Sequence, residues 1–219
     1  MPTPSPATRD ALIPQDAAPP APAWTTNRWF HSAPLEPADL RGRVVVLEAF
    51  QMLCPGCVSH GLPQALRLVR HFGDDIAVIG LHSVFEHHAA MTPTSLEAFL
   101  FEYKIGFPVG VDAHQGTDPT PVTFARYRMR GTPTTVLIDR DGRLRAHHFG
   151  AVEDMAIASA VTRLLDEARA PVPTGARAET SAETAAETAA GSSAGTSAGT
   201  RPPVEQATVG CSPDGECTA

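Results

Sequence analysis

Val44-Val45-Val46-Leu47-Glu48-Ala49-Phe50 leads, three residues later, into Cys54-Pro55-Gly56-Cys57. From Cys57 onward Val58, Leu62, Ala65, Leu66, Val69 and Phe72 recur at helical spacing, and Gly73 closes the pattern. An apolar run of this length suits a strand buried on both faces, and such strands belong to sheets covered by helices. The cysteine pair therefore stands at a strand-to-helix junction. Glu48 is expected in the interior, and Pro63 is expected to kink the helix.

The same alternation continues along the chain. Ile76 to Leu81 reads as a second buried strand, and Thr94 to Lys104 as a helix with Leu96, Phe99, Leu100 and Tyr103 on one face. Thr134 to Asp139 and Arg143 to His148 flank Arg140-Asp141-Gly142, a hairpin signal. Met155 to Ala168 ends the pattern as a helix with Ile157, Val161, Leu164 and Leu165 inward. The class is α/β, with a mixed central sheet flanked by helices.

Composition sets the limits of that domain within the 219 residues. Residues 1–23 hold seven prolines and no aromatic, and residues 170–208 hold no Leu, Ile, Met, Phe, Tyr or Trp. Neither can bury enough apolar surface to offset its ordering entropy, so both are expected to be disordered extensions. The expected organisation is a Pro/Ala-rich N-terminus over 1–23, one domain over 24–169, a low-complexity flexible linker over 170–208 and a cysteine-bearing tail over 209–219. Three copies of Ala-Glu-Thr and two of Ser-Ala-Gly-Thr mark the linker.

A net charge of −7 with no run of Lys or Arg excludes nucleic acid and anionic membranes as partners. Met1 to Pro22 has neither a basic start nor an apolar stretch, and no apolar run elsewhere exceeds strand length. The expectation is a cytoplasmic protein without a secretory signal or a membrane span. In a reducing compartment four cysteines, two of them spaced C-x-x-C, point to redox or metal chemistry before structural disulfides.

At the strand-to-helix junction the Cys54 sulfur lies near unpaired amides at the positive end of the helix dipole, which favours thiolate. Pro55 fits a first helical turn, where no amide is needed. Two sulfurs at this spacing can close a disulfide within one turn, so Cys54 can attack a substrate disulfide and Cys57 can resolve the mixed intermediate. The alternative is a knuckle holding a soft metal, copper(I) or zinc, on the same two sulfurs. The redox reading calls for no cofactor or metal. Its partners are a protein or small-molecule disulfide and a thiol electron donor. His82 and Ser83 close a buried strand at the edge of the sheet where sites form, so they are expected to line the substrate groove. His87-His88 and His147-His148 are expected to be solvated pairs.

Three pieces in order resemble the thioredoxin superfamily, its TlpA-like branch and, within that, the DipZ-type thioredoxin-like domain, over about Val44 to Gly150. They are the strand-C-x-x-C-helix unit; Arg130-Gly131-Thr132-Pro133-Thr134 before the strand Thr135-Val136-Leu137-Ile138-Asp139; and Val78-Ile79-Gly80-Leu81-His82-Ser83 with Tyr103-Lys104-Ile105-Gly106-Phe107-Pro108-Val109. The resemblance implies a thioredoxin fold and a cis peptide bond before Pro133. It also implies a Thr132-Pro133 loop that holds substrate backbone beside the nucleophile, and a buried proton acceptor at Glu48. A strand glutamate paired with an arginine is the other reading of Glu48.

In that family the helix proline stands one residue closer to the second cysteine. A bulge around Gly61 is therefore expected, turning His60 toward solvent. Peroxiredoxins, which share the fold, place Pro and Thr where Leu47 and Gln51 stand here, so a peroxidase is the weaker enzymatic reading.

Cys211 and Cys217, in Gly210-Cys211-Ser212-Pro213-Asp214-Gly215-Glu216-Cys217, form a candidate second dithiol serving the first, the alternatives being a tail that only pairs with itself or docks onto another protein and four thiols gripping one zinc. Pro213 and Gly215 favour a turn that brings the sulfurs together. A flexible linker of about 40 residues spans roughly 35 Å, enough to bring the tail to Cys54 at close to millimolar effective concentration.

Overall fold

The computed structural model describes residues 12–167. The linker and the tail dithiol Cys211/Cys217 lie outside the described residues. Six strands form one sheet: β1 (Thr26–Phe30), β2 (Val44–Phe50), β3 (Ile76–His82), β4 (Val109–Asp112), β5 (Thr134–Ile138) and β6 (Leu144–Phe149). Their order is β1-β4-β3-β2-β5-β6. β2 runs parallel to β3 in the register Val44↔Ile76 to Phe50↔His82, and antiparallel to β5 on its other side. The sheet is therefore mixed, as the alternation of elements requires. Four helices accompany it: α1 (Leu62–Phe72), α2 (Pro93–Glu102), α3 (Val122–Arg126) and α4 (Asp154–Asp166).

The central position of β2 explains its composition. All seven of its residues are buried, and alternate side chains enter separate cores. Val44, Val46 and Phe50 pack with Leu62 and Leu68 of α1, Leu96 and Leu100 of α2 and Ile157, Val161 and Leu164 of α4. Val45, Leu47 and Ala49 face Trp24, Phe124, Tyr127 and Met129. Each large apolar side chain so buried contributes about 1.5–3 kcal/mol, so the strand is anchored from both sides. Among the described residues no helix is long and apolar enough to cross a membrane.

The structure departs from the expectation that all of 1–23 is disordered, because residues 12–23 lie along the outer edge of β6. Ile13 N–H donates to Arg145 O at 2.7 Å, Leu144 N–H to Pro19 O at 2.8 Å and Ala21 N–H to Gly142 O at 2.9 Å. Pro20 forms a bridge with Arg143, and Leu12 and Ala18 are buried. The order comes from an edge with free hydrogen-bonding groups and not from a core within the segment. Prolines are tolerated there because their carbonyls still accept. Arg145 fastens this strap. It is buried, donates to the Ile13 carbonyl, pairs with Asp139 at 3.1 Å and also binds the Glu167 carboxylate just after α4.

Candidate active site

The site forms where β2 ends. Gln51 O accepts the Cys54 amide at 3.1 Å, and Cys54 O accepts the Val58 amide at 3.1 Å, so helical bonding starts at Cys54 itself. Residues Cys57–Gly61 then form a π turn before α1 begins at Leu62. This turn is the expected bulge, and it absorbs the extra residue before Pro63. Pro63 therefore sits in the first turn of α1, where its missing amide disturbs nothing, and the distortion lies before it. His60 faces solvent, and its Nδ1 pairs with Ser59 Oγ at 2.7 Å.

The two sulfurs differ in depth. Cys54 is half-buried and Cys57 is buried, and both are free thiols. Cys57 N–H points at Cys54 Sγ at 3.3 Å, and Cys54 Sγ lies 3.4 Å from Thr132 O. Burial pushes the Cys57 thiol far above its ordinary range, and the neighbouring Cys54 adds to that. Hydrogen bonds from Thr132 and the Gln51 amide act in the opposite sense. The deeper sulfur thus holds its proton while the outer one meets solvent. Iodoacetamide at neutral pH should label Cys54 well before Cys57, read by peptide mapping of the quenched protein. Equal labelling rates would overturn this division between the sulfurs.

The peptide bond Thr132–Pro133 is cis. The loop is held by Thr134 Oγ1 donating to Gly131 O at 2.7 Å and by Gly150 N–H donating to Pro133 O at 2.8 Å. Pro133 rests on the cysteine loop and on the π turn, and glycine makes that approach possible. A Cβ at Gly61 would stand 3.0 Å from Pro133 Cβ and 2.2 Å from Glu48 Oε1. Thr132 and Pro133 are thereby brought to the cysteine pair.

Glu48 lies beneath the same turn, 2 % exposed. Thr135 Oγ1 donates to its Oε2 at 2.7 Å, and its Oε1 has no partner. Burial raises its pKa from 4.5 to about 8, against the opposing Thr135 hydrogen bond. The partner in the structure is thus a threonine and not the arginine of the other reading. An interior carboxyl that titrates near neutrality can hold or release a proton beneath the π turn that begins at Cys57.

Other expected site residues fall elsewhere. His82 does not line the groove. It is 1 % exposed, its ring lies 5.3 Å from that of Phe50, and burial lowers its pKa to about 4. The parallel register sets it opposite Phe50, which carries it into the core below the sheet edge. Ser83 is also interior, donating to Asp112 Oδ2 at 2.9 Å, where Asp112 accepts the first amides of α3. His87 and His88 are exposed, whereas His147 and His148 are half-buried on β6. Among the described residues no group of three or more His, Cys, Asp or Glu side chains is arranged to hold a metal.

Beside Cys54 opens a cleft of about 350 Å³, walled by Leu53, Pro55, Phe85 and Met91, with Glu86 and His87 at its side and Gly131 and Thr132 bounding it. Gln51 also lines it. In the sequence Gln51 counts only against a peroxidatic pocket. The signal that marks it further is a polar side chain directly after a fully buried strand.

No family model matches the chain. It is similar to a thioredoxin-like superfamily protein of known crystal structure, with 56 % identity and a TM-score of 0.67 over 69 % of this chain and 99 % of that one. It is also similar to a thiol-disulfide isomerase from Corynebacterium glutamicum, with 46 % identity and a TM-score of 0.67 over 70 % of this chain and 99 % of that one. Among curated proteins it matches Protein DipZ of Mycobacterium bovis and of Mycobacterium tuberculosis, each 26 % identical over 137 residues. Those matches cover 62 % of this chain but only 19 % of DipZ, so the chain corresponds to a small part of the curated relatives.

Proposed function

The chain belongs to the thioredoxin-like superfamily, its cysteine domain is that of a thiol-disulfide oxidoreductase, and we propose that it works as a reductase of protein or small-molecule disulfides. The unequal depth of the two sulfurs carries this reading. Cys54 thiolate attacks one sulfur of a substrate disulfide, the S–S bond breaks, and the released substrate sulfur takes up a proton. Cys57 then passes its proton to the ionised fraction of Glu48 and attacks Cys54 Sγ. The second substrate sulfur leaves and is protonated in turn. The substrate gains two electrons and two protons, Cys54 and Cys57 become a disulfide, and an external thiol donor restores them. The Thr132-Pro133 loop holds substrate backbone alongside.

The reductive direction rests on what surrounds Cys54. Pro55 and Gly56 carry no charge, His60 turns to Ser59, and His87, which lines the cleft beside Cys54, is accompanied there by Glu86, so no unopposed cation of the kind that stabilises a thiolate and makes an oxidant faces the sulfur. A reductase of this kind is suited to a reducing compartment, and a cytoplasmic location belongs to the same proposal. The Cys211/Cys217 pair is proposed as a relay that returns electrons to the Cys54–Cys57 disulfide. The midpoint potential, measured by equilibration with glutathione or dithiothreitol, tests the direction. It should lie near that of thioredoxin, about −270 mV, and a value near the roughly −120 mV of a strong oxidant would reverse the proposal.

A further inference from the structure

Gln51 is an anomaly in this site. Its side chain is 1 % exposed, yet neither Nε2 nor Oε1 has a hydrogen-bond partner. Its backbone is fully engaged: the carbonyl accepts the Cys54 amide, and the N–H faces the Cys57 sulfur. The residue is therefore fixed directly under the reacting pair. Gln51 belongs to the lining of the cleft beside Cys54, with Leu53, Phe85 and Met91 and with the exposed Glu86 and His87, yet none of these side chains pairs with its amide. A buried amide left without donor or acceptor is destabilising, and a leucine or methionine would fill the same space without that penalty. His82 is also buried without partners, but it faces the core and not the cleft.

We infer that Gln51 is a specificity-determining residue whose partner arrives with the substrate, and that this partner is a peptide group. One carboxamide offers one acceptor and an N–H donor, the complement of one backbone N–H and C=O. An extended polypeptide laid across the cleft, with its cysteine at Cys54, brings such a group next to its sulfur. A turn of the Gln51 side chain about its own bonds meets it. This inference rests on the exchange reading above and narrows it, because the preferred substrates are disulfides of polypeptides rather than compact disulfides without amides.

The test compares turnover of a disulfide-linked peptide with that of hydroxyethyl disulfide, which has no amide, in the full-length protein and in Gln51→Met and Gln51→Leu. Removing two hydrogen bonds made only with the peptide should lower kcat/KM for the peptide disulfide by about tenfold to thirtyfold and leave hydroxyethyl disulfide within about twofold. Thermal stability should stay level or rise, since an unpaired amide is lost. Equal losses on both substrates would make Gln51 a support for Cys54 and overturn the inference, as would no loss on either. Failure of both variants to fold would assign the amide to the fold and overturn the inference equally. If the unaltered protein exchanges with neither disulfide, it is the exchange reading itself that fails.

Discussion

When Cys57→Ser is combined with Cys211→Ser and Cys217→Ser, turnover falls to the rate without protein, and Cys54 accumulates as a one-to-one mixed disulfide with the substrate. The expectation follows from the depth of the two sulfurs. Cys54 is half-buried with its sulfur beside the Thr132 carbonyl, so it still attacks, but no second thiol of the described domain lies within reach to release the adduct. Intact mass before and after dithiothreitol reads the result. Sustained turnover would show that Cys57 is not the resolving thiol. Cys57→Ser alone, with both tail cysteines kept and mildly oxidised at high dilution, reports on the proposed relay. A Cys54 disulfide to Cys211 or Cys217 within one chain supports it, and Cys54 found only with external thiols ends it.

Glu48→Gln should produce two separate effects. Exchange slows by about one to two orders of magnitude, because Cys57 loses the proton acceptor proposed for it, and the rise of the rate through pH 8 flattens. Stability changes in the other direction. The folded-state pKa of about 8 lies above the ordinary 4.5, so the folded protein keeps a proton that the unfolded chain has lost. The contribution of this carboxyl is complete below about pH 4.5 and declines as pH rises through 8, by at most about 5 kcal/mol. Glutamine does not ionise, so the variant should be the more stable form at pH 9 and lose the slope between pH 5 and 8. Denaturant unfolding at several pH values measures this. A rate unchanged from pH 6 to 8 would leave Glu48 outside the exchange, and an unchanged slope would mean that it ionises freely in the fold.

The sequence is most informative where burial is two-sided. Nothing but a central strand accommodates Val44 to Phe50, and that strand fixes the height of Cys54, Cys57 and Glu48 together. The Gly61 bulge is legible as a proline displaced by one residue, and it has the form of a π turn. β1 and β4 are not legible as strands. They are short, β1 carries Asn27 and Arg28 in exposed positions, and β4 contains Gly110, against which Thr26 and Trp29 pack. The placement of His82 requires the register between β2 and β3, which periodicity within one strand does not give. The strap over 12–23 escapes a compositional reading because composition reports what a segment can bury by itself, whereas this one is ordered by the edge of β6.

Arg145 gives that strap a mechanical meaning. One guanidinium holds the Ile13 carbonyl from the beginning of the described domain and the Glu167 carboxylate from its end, with Asp139 as the third partner. The ends of the described domain are therefore not two independent places of fraying. If α4 peels from its C-terminus, the charge that holds the strap loses one of its two carboxylate partners and keeps only Asp139. If the strap lifts, the same guanidinium is opened to water. Opening at either end lowers the barrier at the other, so amides on the strap and on the last turn of α4 should form one cooperative unit of local unfolding. That unit includes the outer edge of β6, whose unpaired N–H and C=O groups become available to another strand when it opens.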